Sequence, residues 1–62
     1  MGTVIYEYDP DGSDKFLQRS ETMITHLPNG TEISVQGKMY KVRRYTVLVD
    51  AYGAVMASIV VE

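Results

Sequence analysis

The sequence predicts an all-β domain of five strands, arranged as an antiparallel meander that closes into a small barrel or bends strongly. Hydrophobic and polar side chains alternate along most of the chain, and β-branched and aromatic residues dominate these stretches. Turns rich in glycine, proline and aspartate separate them. The 62 residues allow one domain, spanning 1–62, near the lower size limit for independent folding.

The first predicted strand covers residues 3–8 and ends at an Asp-Pro-Asp-Gly turn over residues 9–12. Asp at the first, Pro at the second and Gly at the fourth position fit a type I turn. Residues 13–20 allow two interpretations, since Ser13 can cap a short helix. We favour a strand from about Phe16, because residues 21–27 are also typical of a strand and no helix stop precedes them.

Three further strands follow in the second half of the chain. They are predicted at residues 32–35, 39–50 and 54–61, separated by turns at 28–30, 36–38 and 51–53. The last strand is apolar on both faces and would promote aggregation as an open edge. We therefore expect it to be paired on both sides, either by barrel closure or by a second subunit.

The long fourth strand changes its hydrophobic parity half way along. Tyr40 and Val42 are apolar at even positions, whereas Tyr45, Val47 and Val49 are apolar at odd positions. Because side chains alternate with a period of two, a straight strand cannot place both sets on one face. This pattern predicts a β-bulge or sharp bend near residues 43–44. The alternative is a straight strand with both faces partly covered, as in a dimer.

A short spacing pattern in the middle of the chain is similar to one found in a known type of barrel. The pattern is Gly30-x-x-Ile33-x-x-x-Gly37-x-x-Tyr40-x-Val42, which resembles a turn and its following strand in many SH3-like barrels. The resemblance implies an SH3-like barrel. It spans only residues 30–42 and implies no function.

The chain contains no cysteine, which excludes disulfides, thiolate metal sites and cysteine catalysis. A secreted domain of this size usually carries disulfides, so the composition favours a cytoplasmic protein. The first residues show no basic region followed by an apolar run, so we expect no signal peptide. No apolar run approaches the length that would cross a membrane.

The residues needed for catalysis or metal binding are scarce. His26 is the single histidine and has no orienting carboxylate near it in the sequence, so it is a weak general base. The acidic run over residues 9–14 resembles a calcium loop only superficially. An EF-hand requires glycine at position six and glutamate at position twelve, where this chain has Asp14 and Ser20. We expect no catalytic residue, no metal, no cofactor and therefore no enzymatic activity.

Charge is segregated along the chain, although the formal net charge is only −2. The first 14 residues carry four carboxylates and no cation, while residues 15–44 carry all six cations and two carboxylates. The acidic and basic parts can pair within one molecule or between two. The basic stretch over residues 38–45 also contains two tyrosines, a combination that can track a phosphate backbone and stack bases. An acidic protein partner or a plain solvated strand face suits this stretch better than a nucleic acid does, because the net charge is negative.

Five tyrosines are many for so small a domain, and tyrosine is enriched at interfaces. We expect Tyr6 and Tyr40 to pack in the core and Tyr52, at a turn tip, to be exposed. The candidate partner-binding residues are Lys38, Lys41, Arg43, Arg44, Tyr45 and Tyr52.

These observations favour a non-enzymatic protein-binding or regulatory module, for which an accessory protein of a phage or mobile element is one setting. One alternative is a nucleic-acid-binding barrel that uses the basic strand over residues 38–44. Another is a structural subunit of a homo-oligomer, joined by its last strand or by acidic-to-basic pairing. We thus expect a protein partner and a homo-oligomer, with nucleic acid as an alternative partner and no contact with a membrane.

Overall fold

A computed structural model describes residues 2–62, and every regular element in this range is a β-strand. The strands are β1 (Gly2–Glu7), β2 (Lys15–Ser20), β3 (Glu32–Val35), β4 (Lys38–Val49) and β5 (Val55–Val61). The predicted all-β class with five strands is confirmed, and residues 15–20 form a strand rather than a helix.

The five strands form one sheet in the order β2-β1-β5-β4-β3. All neighbouring strands are antiparallel except β1 and β5, which are parallel. Five strands that alternate in direction leave the first and last pointing the same way, so their pairing must be parallel. The predicted meander is therefore correct for consecutive strands, apart from β2 and β3. Those two strands lie at opposite edges, and the sheet is a half-barrel.

The segment between β2 and β3 is the main departure from the sequence prediction. Residues 21–27 were expected to form a strand, but they lie outside the sheet ladder. The Thr3 side chain holds them instead: its Oγ1 donates to the carbonyl of Thr22 at 2.8 Å and accepts from the amide of Ile24 at 2.9 Å. His26 has a φ of 58°, a left-handed conformation that cannot continue a strand. These hydrogen bonds to Thr3 anchor the segment that connects β2 to β3, and the two strands do not pair with each other.

The predicted bulge in β4 is confirmed at the expected position. Val42 pairs with Val61 and Arg44 pairs with Val60, so Arg43 is the extra residue. The bulge lets Tyr40 and Val42, before it, share the core face with Tyr45, after it. A straight β4 is excluded by this register.

The hydrophobic core lies on one face of the sheet, and β5 is the central strand of that sheet. Ile59 and Val61 are fully buried, and β5 pairs with β1 on one side and β4 on the other, as predicted for this strand. The other buried members of the hydrophobic cluster are Ile5, Val35, Tyr40 and Val42. Partly buried residues that pack on this cluster are Leu17, Ile24, Leu27, Ile33 and Tyr45.

Tyrosine packing matches the prediction at Tyr40 and differs at Tyr6. Tyr40 is buried in the core. In β1, Thr3 and Ile5 point toward the core, so alternation places Tyr6 on the outer face of the sheet. There its ring meets Phe16 edge to face, with centroids 6.0 Å apart.

Two turns show how local sequence supports the sheet. The predicted type I turn is present, with the Gly12 amide bonded to the Asp9 carbonyl at 2.9 Å. Gln36 and Gly37 connect β3 to β4 and have φ values of 53° and 81°, the signature of a type I′ hairpin turn. The Gln36 Nε2 also donates to the Leu17 carbonyl at 2.8 Å. This bond bridges the gap between β2 and the β3–β4 hairpin.

The start of β1 approaches the end of β2 closely enough to require glycine. A Cβ on Gly2 would lie 2.6 Å from the carbonyl oxygen of Ser20, which is backbone and cannot rotate away. We expect Gly2→Ala to lower the free energy of unfolding by about 1–3 kcal/mol, the usual range for overpacking. Urea denaturation measures the change. Unaltered stability would contradict this close approach.

Candidate functional site

The structure offers two surface features that can contact a partner. The first, here called the basic cluster, consists of Lys41, Arg43 and Arg44 at the β4 bulge. It borders an open depression of about 570 Å³ whose other lining residues are Asn29, Gly30, Val42 and Glu62. The second, here called the distal hairpin, is the part of β4 and β5 beyond the bulge, over residues 45–57.

Within the basic cluster, both arginines face carboxylates of the same molecule. Arg43 Nη1 lies 3.1 Å from Glu62 Oε2, and its guanidinium lies 3.8 Å from the centre of the Tyr8 ring. Arg44 Nη2 lies 4.0 Å from the carboxylate of Asp14. The acidic start and basic middle of the chain thus meet intramolecularly at Arg44. These surface pairs add little stability, but they partly neutralise the cluster.

The other three predicted site residues lie apart from this cluster. Lys38 begins β4, with its Nζ 5.1 Å from the centre of the Tyr40 ring. Tyr45 is half-buried against the core and donates its hydroxyl to the Ile24 carbonyl at 2.8 Å, so its ring is committed to packing. Tyr52 occupies the turn after β4 and is 97% exposed, as predicted. The six residues therefore do not form one site.

The distal hairpin exposes apolar side chains on both faces. Val47 is 47% exposed and Val49 64% exposed on the face that continues the core. Leu48 and Met56, directly paired across β4 and β5, are 49% and 37% exposed on the opposite face. These four exposed apolar residues were not among the partner-binding residues predicted from the sequence. The available signal was the run Tyr-Thr-Val-Leu-Val over residues 45–49, which has no charge and is apolar on both faces.

The distal part of β4 also has an open backbone edge. The Asp50 amide donates to the Ala54 carbonyl at 3.0 Å. This bond shows which residues of β4 direct their backbone N–H and C=O groups toward β5. Alternation from this pair directs the backbone groups of Leu48 and Thr46 toward β5, and those of Tyr45, Val47 and Val49 away from it.

No strand within the described residues 2–62 covers this side of the distal hairpin. β3 pairs with β4 only as far as Lys41, and the turn before β3 extends the pairing to Val42 through Gly30 and Thr31. Across residues 2–62, no backbone hydrogen bond reaches the outward groups of Tyr45, Val47 or Val49 from a loop or turn. The chain thus presents an uncharged strand edge, which native proteins usually block.

The described part of the chain holds no group of three His, Asp or Glu side chains placed to share a metal ion. Nor do residues 2–62 include a helix that could cross a bilayer. Comparisons of the chain with protein-family models, curated proteins and solved structures found no match.

Proposed function

We propose that the protein is a non-enzymatic protein-binding module that adds a strand of its partner to the open edge of β4. The observation that carries this proposal is the edge over residues 45–49, where uncharged side chains accompany outward-facing backbone groups. Strand addition to an exposed sheet edge is a recurring mode of peptide recognition.

The backbone groups of the edge can form hydrogen bonds that align an added strand with β4. Tyr45, Val47 and Val49 each direct one N–H and one C=O outward, so a paired strand can form two hydrogen bonds with each of them. Water satisfies these groups in the free protein, so each new bond contributes only modestly to affinity. The exposed valines and Leu48 add apolar contact on both faces of the sheet, and this contact favours binding.

The residues at the ends of the edge define the chemistry of the partner. Arg44 precedes the edge, with a side chain 67% exposed, and Asp50 follows it. A matching segment is therefore extended, rich in β-branched residues and uncharged in its middle. An antiparallel segment of this kind carries a carboxylate opposite Arg44 and a cation opposite Asp50.

A display selection of random extended peptides on the immobilised protein tests this proposal. Val47→Pro removes the outward N–H and leaves the β5 ladder intact, because proline is tolerated on the free side of an edge strand. The matched control is Val47→Thr, which keeps the N–H and the β-branched shape. We expect selected peptides to bind wild type and Val47→Thr, and to lose roughly tenfold or more in affinity for Val47→Pro.

Nuclear magnetic resonance identifies where these peptides bind. The amide signals of Tyr45, Val47 and Val49 should shift on binding, while those of β2 stay in place. A selection on protein immobilised sparsely enough to remain monomeric that yields no binder would overturn the proposal, and so would binders that perturb another surface or bind Val47→Pro normally.

The nucleic-acid alternative gains less support from the geometry. Arg43 is engaged by Glu62 and Tyr8, Arg44 lies near Asp14, and the Tyr45 ring is packed rather than free to stack on a base. A protein partner at the edge leaves the contacts of Arg43 and Tyr45 in place, and its carboxylate shares the Arg44 guanidinium with Asp14.

A further inference from the structure

We infer that the strand added to the β4 edge is the same edge of a second copy, so that the chain forms a two-fold symmetric dimer. This inference rests on the proposed binding edge and names its partner. Residues 45–49 form the uncharged, β-branched segment described above, and Arg44 and Asp50 flank them in the order that antiparallel self-pairing requires. A two-fold axis brings identical surfaces together.

One register satisfies all the outward backbone groups. When the axis passes beside Val47, this residue lies opposite Val47 of the second copy, and Tyr45 lies opposite Val49. Each of these opposed pairs exchanges two hydrogen bonds, as residues that face one another do in an antiparallel ladder. All outward N–H and C=O groups from Tyr45 to Val49 are then paired, and no charged side chain lies within the segment.

The same register brings opposite charges together at both ends. Three residues from Val47 in each direction are Arg44 and Asp50, so Arg44 of one copy lies opposite Asp50 of the other, twice. Asp50 Oδ1 accepts hydrogen bonds from the amides of Tyr52 and Ala54 within its own turn. Its other carboxylate oxygen remains the acceptor for the arginine. Oppositely charged pairs directly across strands favour pairing.

Other registers lose these features. If one strand slips by two residues, one residue of each copy has an outward N–H and C=O without a partner. A slip in one direction places Arg44 opposite Leu48, and a slip in the other direction places Asp50 opposite Thr46. A slip of one residue sets outward groups against inward ones. The charged residues and the outward-facing backbone groups therefore both favour the register in which Val47 lies opposite Val47 of the second copy.

The two strands at the sheet edges are less suited to self-pairing. β2 carries Lys15 and Arg19, and charged residues on edge strands oppose association. β3 has only four residues and begins with Glu32. The distal part of β4 is the one stretch of open edge among residues 2–62 that combines length, apolar side chains and absence of charge.

Sedimentation equilibrium over a wide concentration range tests the dimer. Val47→Lys and Val47→Glu each place like charges opposite one another at the two-fold axis, and each should weaken dimerisation roughly tenfold or more. An equimolar mixture of the two variants should form a heterodimer, because lysine then faces glutamate. Only a contact of position 47 with itself predicts this rescue.

Met39→Lys and Met39→Glu are the matched controls, since Met39 is 59% exposed on β4 outside the proposed interface. They change the net charge by the same amounts as the Val47 variants and should leave dimerisation unchanged.

Arg44→Glu tests the register, because it places a carboxylate opposite Asp50 and should also weaken the dimer. Amide exchange of Tyr45, Val47 and Val49 should slow as the dimer forms.

A wild-type chain that remains a monomer at high micromolar concentration would overturn this inference. A dimer insensitive to charge at position 47, or a mixture that fails to associate, would do the same. The proposed function would still stand if a monomeric chain bound selected peptides at the β4 edge. A monomer that binds no peptide there would refute both.

Discussion

Ile59→Ala should remove a large share of the protein's free energy of unfolding. Ile59 is fully buried in the central strand, where it pairs with Ile5 on one side and Tyr45 on the other. Removing a buried isoleucine side chain to the β-carbon costs about 2–5 kcal/mol, through lost burial and the cavity left behind. A domain of this length has a total stability on the order of 3–9 kcal/mol, so the loss is a large share of it.

Thermal and urea denaturation followed by circular dichroism measure this effect. Val49→Ala is the matched control, because Val49 is 64% exposed in the same sheet and should lose much less stability. These measurements belong at low concentration, where dimerisation does not add to stability. Equal losses for the two variants would show that the core does not centre on β5.

Thr3→Val should have the second largest effect. Valine has nearly the shape of threonine, but it removes the hydroxyl that bonds the Thr22 carbonyl and the Ile24 amide. Thr3 is fully buried and Ile24 is half-buried, so the Ile24 amide loses its partner where water has limited access, whereas the carbonyl of the exposed Thr22 can turn to solvent. We expect a loss of about 2–4 kcal/mol, from an unsatisfied amide at about 1–3 kcal/mol and a second lost hydrogen bond at about 0.5–1.5 kcal/mol.

Two further variants separate the hydroxyl from other effects at this site. Thr3→Ser keeps the hydroxyl and should retain most of the stability. Thr46→Val makes the same chemical change at a β4 position whose side chain forms no hydrogen bond in the described part of the chain. If Thr3→Val were as stable as Thr46→Val, the anchoring of residues 22–24 by Thr3 would be refuted.

The sequence predicted those features that depend on alternation along one strand. The β4 bulge followed from the parity of Tyr40 and Val42 against Tyr45, because both sets had to reach one core. The double pairing of β5 followed from its apolar residues on both faces. Turn positions followed from glycine, proline and aspartate, whose backbone preferences are local.

The position of residues 21–27 outside the sheet could not be predicted in this way. Their side chains suit a strand, but their backbone bonds go to a threonine hydroxyl about twenty residues earlier in the chain, as the Thr3 contacts show. Such a bond leaves no periodic pattern in the sequence. The parallel pairing of β1 with β5, by contrast, follows from the odd number of alternating strands once the two are adjacent.

The candidate site was only partly predictable for a related reason. The sequence identified the arginines, but their carboxylate partners Asp14 and Glu62 are distant in the chain. The open edge arises because β4 has 12 residues whereas β3 has only four. Strand ends are uncertain from sequence alone. Because of this difference in length, no other strand in the described part of the chain pairs with the outer side of the distal half of β4.

The parallel contact between β1 and β5 has a mechanical consequence. Their register runs without interruption from Gly2 opposite Met56 to Glu7 opposite Val61. Pulling the chain by its two ends would slide these strands past each other and load all the bonds between them at once. A hairpin pulled apart at its ends instead loses its hydrogen bonds one at a time. The parallel pairing of β1 with β5 therefore resists tension more strongly, because its hydrogen bonds must break together in shear.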